Sequence, residues 1–284
     1  METPGKKKRI PITTDEELRR IKEELCLMDD CFMTVCFEDC NSAVQLVLRI
    51  ILDKPDLEVT DVAVQKKIPN DHGRSLILDI HAKSEGVVYN CEVQNASGDS
   101  SPRRARYHGS LLDVHSLNKG DPFSKLPETY VIFITENDKY GNGLPLYSFD
   151  RYCPALGDNL DDGSHIIYVN GKYRADDDIG YLMQDFNCTD PARMHYNELA
   201  ERVGYIKDTE TGERKMRSGI FDDIEKRAIE IGREEGREEG RTEGENRLAR
   251  LIKILLDQGR YEDVSKVTSD VDFRNKLYVE EDIA

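Results

Sequence analysis

Apolar and polar residues alternate with two different periods along the first two-thirds of the chain, and the change of period predicts helices and strands in turn. An apolar stripe at helical spacing is formed by Val44, Val47, Leu48 and Ile51. The helix that carries it is expected to end by Asp53, because Pro55 disfavours the helical conformation at the residue before it. Short runs rich in β-branched and aromatic residues predict strands at 59–68, 76–82, 87–94 and 128–135. The order of helix, strand, hairpin, helix and strand indicates an α/β core built on one sheet.

A central hairpin carries the candidate chemistry. If Glu85-Gly86 is a two-residue loop, Ser84 pairs with Val87, and the same register sets Asp79 directly opposite Glu92. Side chains on a strand alternate faces, so Gln94 points the same way as Glu92. Facing residues have Cβ atoms roughly 4.5–5.5 Å apart, and two like charges at that distance require a proton or a cation between them. The pattern predicts a divalent metal site; the alternative is a slipped register in which one carboxylate faces solvent.

Two neighbouring segments add further predictions. A loop ending at Pro102 leads into the basic helix start Arg103-Arg104-Ala105-Arg106-Tyr107-His108, which is either a phosphate-binding cluster or surface charge with an aromatic anchor. Asn170-Gly171, placed between apolar runs in 165–174, predicts a type I′ hairpin.

Composition narrows the class of protein. The net charge of −16 argues against a general basic coat for nucleic acid, so contact with DNA must come from local patches. Seven cysteines and the lack of a hydrophobic N-terminal segment indicate the reducing cytosol. Cys31, Cys36 and Cys40 do not have the spacing of a tetrahedral zinc site and are interpreted as free thiols. No run approaches the ~20 apolar residues of a membrane span, so no membrane association is expected.

The chain divides into three parts on these patterns: a disordered leader at 1–14, a core domain at 15–217 and a charged helical tail at 218–284. The tail contains a Gly-Arg-Glu-Glu repeat of period four from Gly232, which predicts a polar, marginal helix. An apolar face at 248–256 follows, and Gly259 ends it. That face predicts a docking or homo-oligomerisation surface.

Taken together, these segments resemble the PD-(D/E)xK nuclease superfamily, and more closely the bacterial Rpn-type recombination-promoting nucleases, also called PD-(D/E)xK family transposases. The resemblance is carried by Leu25–Asp30 with Phe32 and Met33, Arg74–Ile80, Asn90–Gln94, Arg104–Tyr107, Leu126–Glu136, Gly163–Gly171 and the Gly-Arg-Glu-Glu tail. His108 departs from the family, since many relatives carry a second Tyr there. Gln94 stands where the superfamily name expects Lys, and Gln is usual in this subgroup.

The resemblance implies a restriction-endonuclease-like core, a mixed sheet flanked by helices, with a C-terminal helical extension. Asp79, Glu92 and the backbone carbonyl of Val93 would bind Mg²⁺ or Mn²⁺, and Gln94 would complete the catalytic set. An additional acidic residue from the first helices would be Asp30 or Glu38. Residues implied to contact nucleic acid are Arg103, Arg104, Arg106 and Tyr107.

The implied activity is that of a metal-dependent DNA endonuclease in the bacterial cytoplasm, linked to recombination or transposition of mobile DNA. Gln94 has no titratable group, so it could position a water by hydrogen bonds but could not act as a general base. The alternative is a catalytically degenerate protein on the same fold, which binds DNA or oligomerises without cutting.

Overall fold

The computed structural model describes residue 20 and residues 22–70, 73–95, 98–216 and 247–281. The chain forms two compact units, Met1–Phe221 and Asp222–Ala284. The division falls four residues after the boundary expected at 217/218, while the leader at 1–14 and most of the tail repeat lie outside the described residues.

The first unit is a mixed α/β structure. Its main elements are α1 (Asp30–Phe37), α2 (Asn41–Leu52), β1 (Asp61–Ile68), β2 (Leu76–Ser84), β3 (Val87–Gln94), α3 (Pro102–Ser116), β4 (Glu128–Thr135), β5 (Leu146–Phe149), β6 (Tyr152–Cys153), β7 (Asp158–Asn159), β8 (Ser164–Asn170), α4 (Asp178–Phe186) and α5 (Asn197–Asp208). Short 3₁₀ turns occur at Phe123–Lys125 and Pro191–Arg193, and residues 210–216 are helical. The helix predicted to carry the apolar stripe at 44–51 and to end by Asp53 is confirmed as α2. The predicted strands are also confirmed, with β1 beginning and β2 ending two residues later than expected.

Six strands form one sheet in the order β1-β2-β3-β4-β8-β5. β1, β2 and β3 are antiparallel, β3, β4 and β8 are parallel, and β5 returns antiparallel beside β8. One face packs against α2, whose Val44, Val47 and Leu48 meet side chains of β2 and β3. The other face packs against α3, whose Ala105, Leu111 and Leu112 join an apolar cluster with β4 and β8. Helices therefore flank the sheet on both faces.

The hairpin predicted at Asn170-Gly171 is wrong. β8 ends at Asn170, and both of its edges are already paired, with β4 on one side and β5 on the other. Asn170 is buried and its side chain instead terminates the strand, donating to the Leu144 carbonyl and accepting from the Lys172 N–H. A Cβ at Gly171 would lie 2.4 Å from the Thr135 carbonyl oxygen, so the glycine is required for close approach to β4 rather than for a hairpin turn.

The second unit corrects the interpretation of the apolar tail face. Leu251 and Leu255 lie on a helix at 247–257 and are fully buried against Val267, Leu277 and Tyr278 of the following helices, α6 (Tyr261–Ser269) and α7 (Val271–Glu280). The face predicted for homo-oligomerisation through the C-terminal helix is thus covered by the chain's own helices. The turn after the helix contains Gly259 at φ 73°, as its place in the sequence predicted.

Truncating this internal contact should destabilise the second unit. Leu255→Ala is expected to lower its free energy of unfolding by about 3 kcal/mol, because the substitution removes transfer free energy and leaves a cavity. Leu256 is the matched control, since the neighbouring side chain is 45% exposed and its truncation should cost little. Amide hydrogen exchange at 247–280 measures both variants, and equal protection in the two would contradict the intramolecular packing.

Candidate active site

The predicted hairpin register is observed. The ladder runs from Ser84–Val87 to Ile80–Cys91, and Gly86 in the two-residue turn has φ 70°, which suits glycine. Asp79 and Glu92 are the next residues of the two strands. The Asp79 N–H donates to Glu92 Oε1 at 3.3 Å and the Val93 N–H donates to Asp79 Oδ2 at 3.1 Å, so the two side chains meet at the end of the ladder.

The pairing of β2 with its other neighbour, β1, is irregular beside Asp79. The pairing of β1 with β2 passes from Val64–Ile80 to Lys66–Leu78, and Gln65 between them has a left-handed φ of 48°. Leu76 and Leu78 consequently pack on the α3 face, although strict alternation from Ile80 would place them on the other face. This bulge-like break changes the direction of β2 at Asp79, the first of the two carboxylates. Breaks of this kind are frequent beside active sites.

Both carboxyl groups are buried. Asp79 is 9% exposed and Glu92 is 0% exposed. Burial, followed by repulsion from Glu92 and Asp30, raises the pKa of Asp79 to about 8. Burial also raises the pKa of Glu92, with Arg104 acting in the opposite direction. The pair therefore favours a bound proton or a cation over two free negative charges.

Arg104 supplies a positive charge at one side of this pair. Its Nη2 donates to Glu92 Oε2 at 2.9 Å, and its Nη1 donates to Gln94 Oε1 at 3.1 Å and to the Asp99 carbonyl at 2.7 Å. The start of α3 fixes the position of Arg104, because Pro102 begins the helix and Ser101 Oγ accepts a hydrogen bond from the Arg104 N–H. Arg104 thus links the two strand residues, Glu92 and Gln94, that the sequence assigned to one face.

Sequence reasoning did not assign His108 and Asn90 to the site. Both side chains are fully buried, and His108 Nε2 accepts from Arg104 Nε at 3.2 Å. Burial and the nearby arginines lower the pKa of His108 to about 4, so the ring is neutral and its proton lies on Nδ1. That Nδ1 is 2.9 Å from the Asn90 amide nitrogen and 3.6 Å from Glu92 Oε1.

The Asn90 amide lies between His108 and Glu92. A hydrogen bond from its side chain to the Glu92 carboxylate helps to hold the pKa of Glu92 down, while its Oδ1 has no hydrogen-bond partner among the described residues. Spacing could have indicated both residues, since Asn90 lies two positions before Glu92 and His108 one turn after Arg104.

The other predicted site residues are placed as follows. Asp30, the first residue of α1, repels both Asp79 and Glu92, whereas Glu38 is bound to Lys215 at 3.0 Å and lies away from the pair. Of the two acidic candidates, only Asp30 lies near the carboxylates.

The basic cluster divides into inward and outward members. Arg103 and Arg106 are exposed on α3, while Arg104 turns inward. Tyr107 is engaged within the fold, since its hydroxyl donates to the Arg74 carbonyl and accepts from Asn70 Nδ2. The two exposed arginines are therefore the members of the cluster available to a phosphate backbone.

The oxygen donors suit a hard divalent cation. Mg²⁺ is usually held by one or two carboxylates and keeps several waters, and Asp79 with Glu92 supplies such a pair in an apolar setting. Within the described residues, no group of three or more His, Cys, Asp or Glu side chains is arranged to hold a metal ion. Two carboxylates on neighbouring strands are a donor set of the kind that Mg²⁺ accepts.

The raised pKa of Asp79 predicts how the metal-free protein responds to pH. In the unfolded chain this carboxyl group titrates near pH 4, whereas in the folded protein its pKa is about 8. Between these pH values the native state therefore binds a proton that the unfolded state has lost. Its contribution to stability is present at low pH and is lost as the pH rises from about 4 to about 8. In chelator, Asp79→Asn should not show this loss. Between pH 5 and pH 8 its stability relative to the wild type should therefore rise by roughly 3 to 4 kcal/mol. Denaturant unfolding at the two pH values measures the difference, and parallel pH profiles would contradict the buried-carboxyl account.

Comparison with known proteins does not assign a family. No protein-family model matches the chain, and no solved structure matches it. Protocadherin gamma-B6 of Pan troglodytes and of Homo sapiens are each 24% identical to it over 195 residues, which is 69% of this chain and 19% of the relative. The chain spans about a fifth of the length of these relatives, and at that identity the match carries no argument about function. Among the residues that the structure describes, no helix is long and apolar enough to cross a membrane.

Proposed function

We propose that this protein is a metal-dependent DNA endonuclease that hydrolyses phosphodiester bonds, on a restriction-endonuclease-like core. The observation that carries the proposal is the buried, facing pair Asp79 and Glu92 with Gln94 on the same strand face. The resemblance to recombination-promoting nucleases supports a role in the movement of DNA segments. The mixed sheet with α2 and α3 on its two faces is compatible with that core.

Each residue of the site has a separate role in the proposed reaction. Asp79, Glu92 and the Val93 carbonyl would hold Mg²⁺ or Mn²⁺, which when bound acidifies water and neutralises phosphate charge. Gln94 orients the attacking water through its amide, which both donates and accepts hydrogen bonds. Arg104 holds Glu92 and Gln94 in one arrangement and offsets charge on the phosphate. Arg103 and Arg106 bind the DNA backbone beside the site.

The direct test is plasmid nicking with Mg²⁺, with Mn²⁺ and with chelator, using wild type and Asp79→Ala. Wild type should nick DNA only with the metal, and Asp79→Ala should remain at the level of the chelator control. Thermal unfolding gives a second readout, because a ligand bound only by the native state raises stability. Addition of Mg²⁺ should stabilise wild type, and Asp79→Asn much less. Equal metal responses of the two proteins would remove the shared-ion site.

One observation favours a second candidate, a catalytically degenerate DNA-binding protein. Arg104 already provides a cation that bonds both Glu92 and Gln94, so the site is electrostatically supported without a metal. A protein of this kind would shift DNA in a gel with a steep salt dependence but would not nick it under any metal condition. Nicking that requires both the metal and Asp79 would support the nuclease over the DNA-binding protein.

A further inference from the structure

A second polar concavity lies at the other end of the same hairpin. It has a volume of about 330 Å³ and is formed between β1, β2, the hairpin turn, the end of α3 and the segment before β4. The basic side chains that line it are Lys66, His81, Lys83, His115 and Lys125. Among the described residues that line it, none is acidic.

The lysines that β1 and β2 contribute to this cavity are only partly neutralised, by Asp61, which is the cross-strand neighbour of Lys83. Within the described part of the chain, no carboxylate forms an ion pair with Lys66 or Lys83, while Lys125 Nζ bonds Asp121 at 2.8 Å. Lys66 Nζ instead lies 3.3 Å from each ring nitrogen of His81. Burial and then Lys83 lower the pKa of Lys66, and only Asp61 acts in the opposite direction. Like charges gathered in a concavity destabilise one another, and a bound anion would relieve that repulsion.

Buried side chains form the floor of the cavity, while Lys83, His115 and Lys125 lie exposed at its mouth. His81 is 3% exposed, so a polar ring that is almost fully buried forms part of the lining. Val88 and Leu112 provide an apolar wall and are themselves buried. The volume is at the lower end of the range for small-molecule pockets, enough for a phosphate group with a small organic body.

We propose that this cavity binds the phosphate group of a small phosphorylated molecule, with Lys66 and Lys83 as the principal charge partners. Phosphate fits because its oxygens accept from several ammonium groups at once. The apolar wall would cover the body of a phosphate ester such as a nucleoside monophosphate. The site does not depend on the proposed nuclease activity, since none of its lining residues belongs to the carboxylate pair or to Gln94 and Arg104.

Isothermal titration calorimetry of the full chain in chelator tests the proposal, with inorganic phosphate and a nucleoside 5′-monophosphate as separate probes. Lys66→Gln and Lys83→Gln should each weaken binding by at least about tenfold, because each removes one charge-assisted contact. Lys119→Gln, which removes the same charge from an exposed position outside the cavity, should bind as wild type does. Thermal unfolding of each variant confirms that the fold is retained.

The outcomes separate clearly. Tighter binding of the nucleotide than of inorganic phosphate identifies a phosphate-ester site, and equal binding identifies a site for free phosphate. Asp79→Asn should leave either affinity unchanged, so a failure of the nuclease proposal would not affect this result. No saturable binding of either probe by wild type, or the same weakening in Lys119→Gln as in Lys66→Gln, would overturn the proposal.

Discussion

Gln94→Ala is expected to slow metal-dependent DNA cleavage by about 10²-fold or more while leaving metal-induced stabilisation nearly intact. Gln94 follows Glu92 on the same face of β3, so a water near the ion lies within reach of its amide. Loss of one positioning group has a large effect where geometry controls the rate. The amide is neutral, so its removal changes little of the charge that Asp79 and Glu92 present to the cation. Single-turnover nicking and thermal unfolding with Mg²⁺ measure the two effects separately.

Two further variants sharpen this test. Gln94→Lys places a cation beside the ion and the scissile phosphate, so we expect partial activity that requires more Mg²⁺. Gly98→Ala is a positional probe, because a Cβ there would lie 2.4 Å from Gln94 Oε1 and must displace the amide. Gly98→Ala should therefore also slow DNA cleavage, although it removes no functional group. Full activity in Gln94→Ala would show that Gln94 is only a strand residue, and the water-positioning role would be abandoned.

Arg104→Ala is expected to lower the free energy of unfolding of the metal-free protein by about 4 kcal/mol at neutral pH. The substitution leaves Glu92, which is fully buried, without the guanidinium that bonds it at 2.9 Å. Removing one partner of a buried ion pair is strongly destabilising, because the other charge stays buried and uncompensated. Since Arg104 holds the pKa of Glu92 down, its loss raises that pKa further, and the deficit should grow as the pH rises.

The neighbouring arginines are matched controls for this prediction. Arg103→Ala and Arg106→Ala remove the same charge from exposed positions on α3 and should change stability by less than about 0.5 kcal/mol. Adding Glu92→Gln to Arg104→Ala should recover part of the loss, because the buried charge is then absent. Mg²⁺ should narrow the gap between Arg104→Ala and wild type if the ion takes over the role of the guanidinium. A deficit as small as that of Arg103→Ala would mean that the contact contributes nothing to stability.

The sequence by itself determined most of the local structure around the site, but not the break at Gln65 that reverses the faces of β2 beyond Asp79. The β-branched runs and the Glu85-Gly86 turn gave the register that brings Asp79 to Glu92, because a two-residue loop leaves a single in-phase pairing of the strands. The apolar stripe on α2 and the end of that helix before Pro55 were also predictable, because each depends on residues within a few positions of one another. The sequence also indicated that Arg104 and His108 share a helical face, although not what that face contacts.

Only the tertiary structure decided how those local pieces meet. The hairpin signal at Asn170-Gly171 failed because β4 and β5 occupy both edges of β8, a competition between segments far apart in sequence. The tail face at 248–256 was expected to be a docking or homo-oligomerisation surface, but α6 and α7 of the same chain pack on it. An apolar stripe does not specify its partner. Arg104 could have been another surface charge, like Arg103 and Arg106. The packing of α3 across the sheet aims it at a buried carboxylate, because the direction of a side chain relative to a distant strand is fixed by packing and not by spacing along the chain.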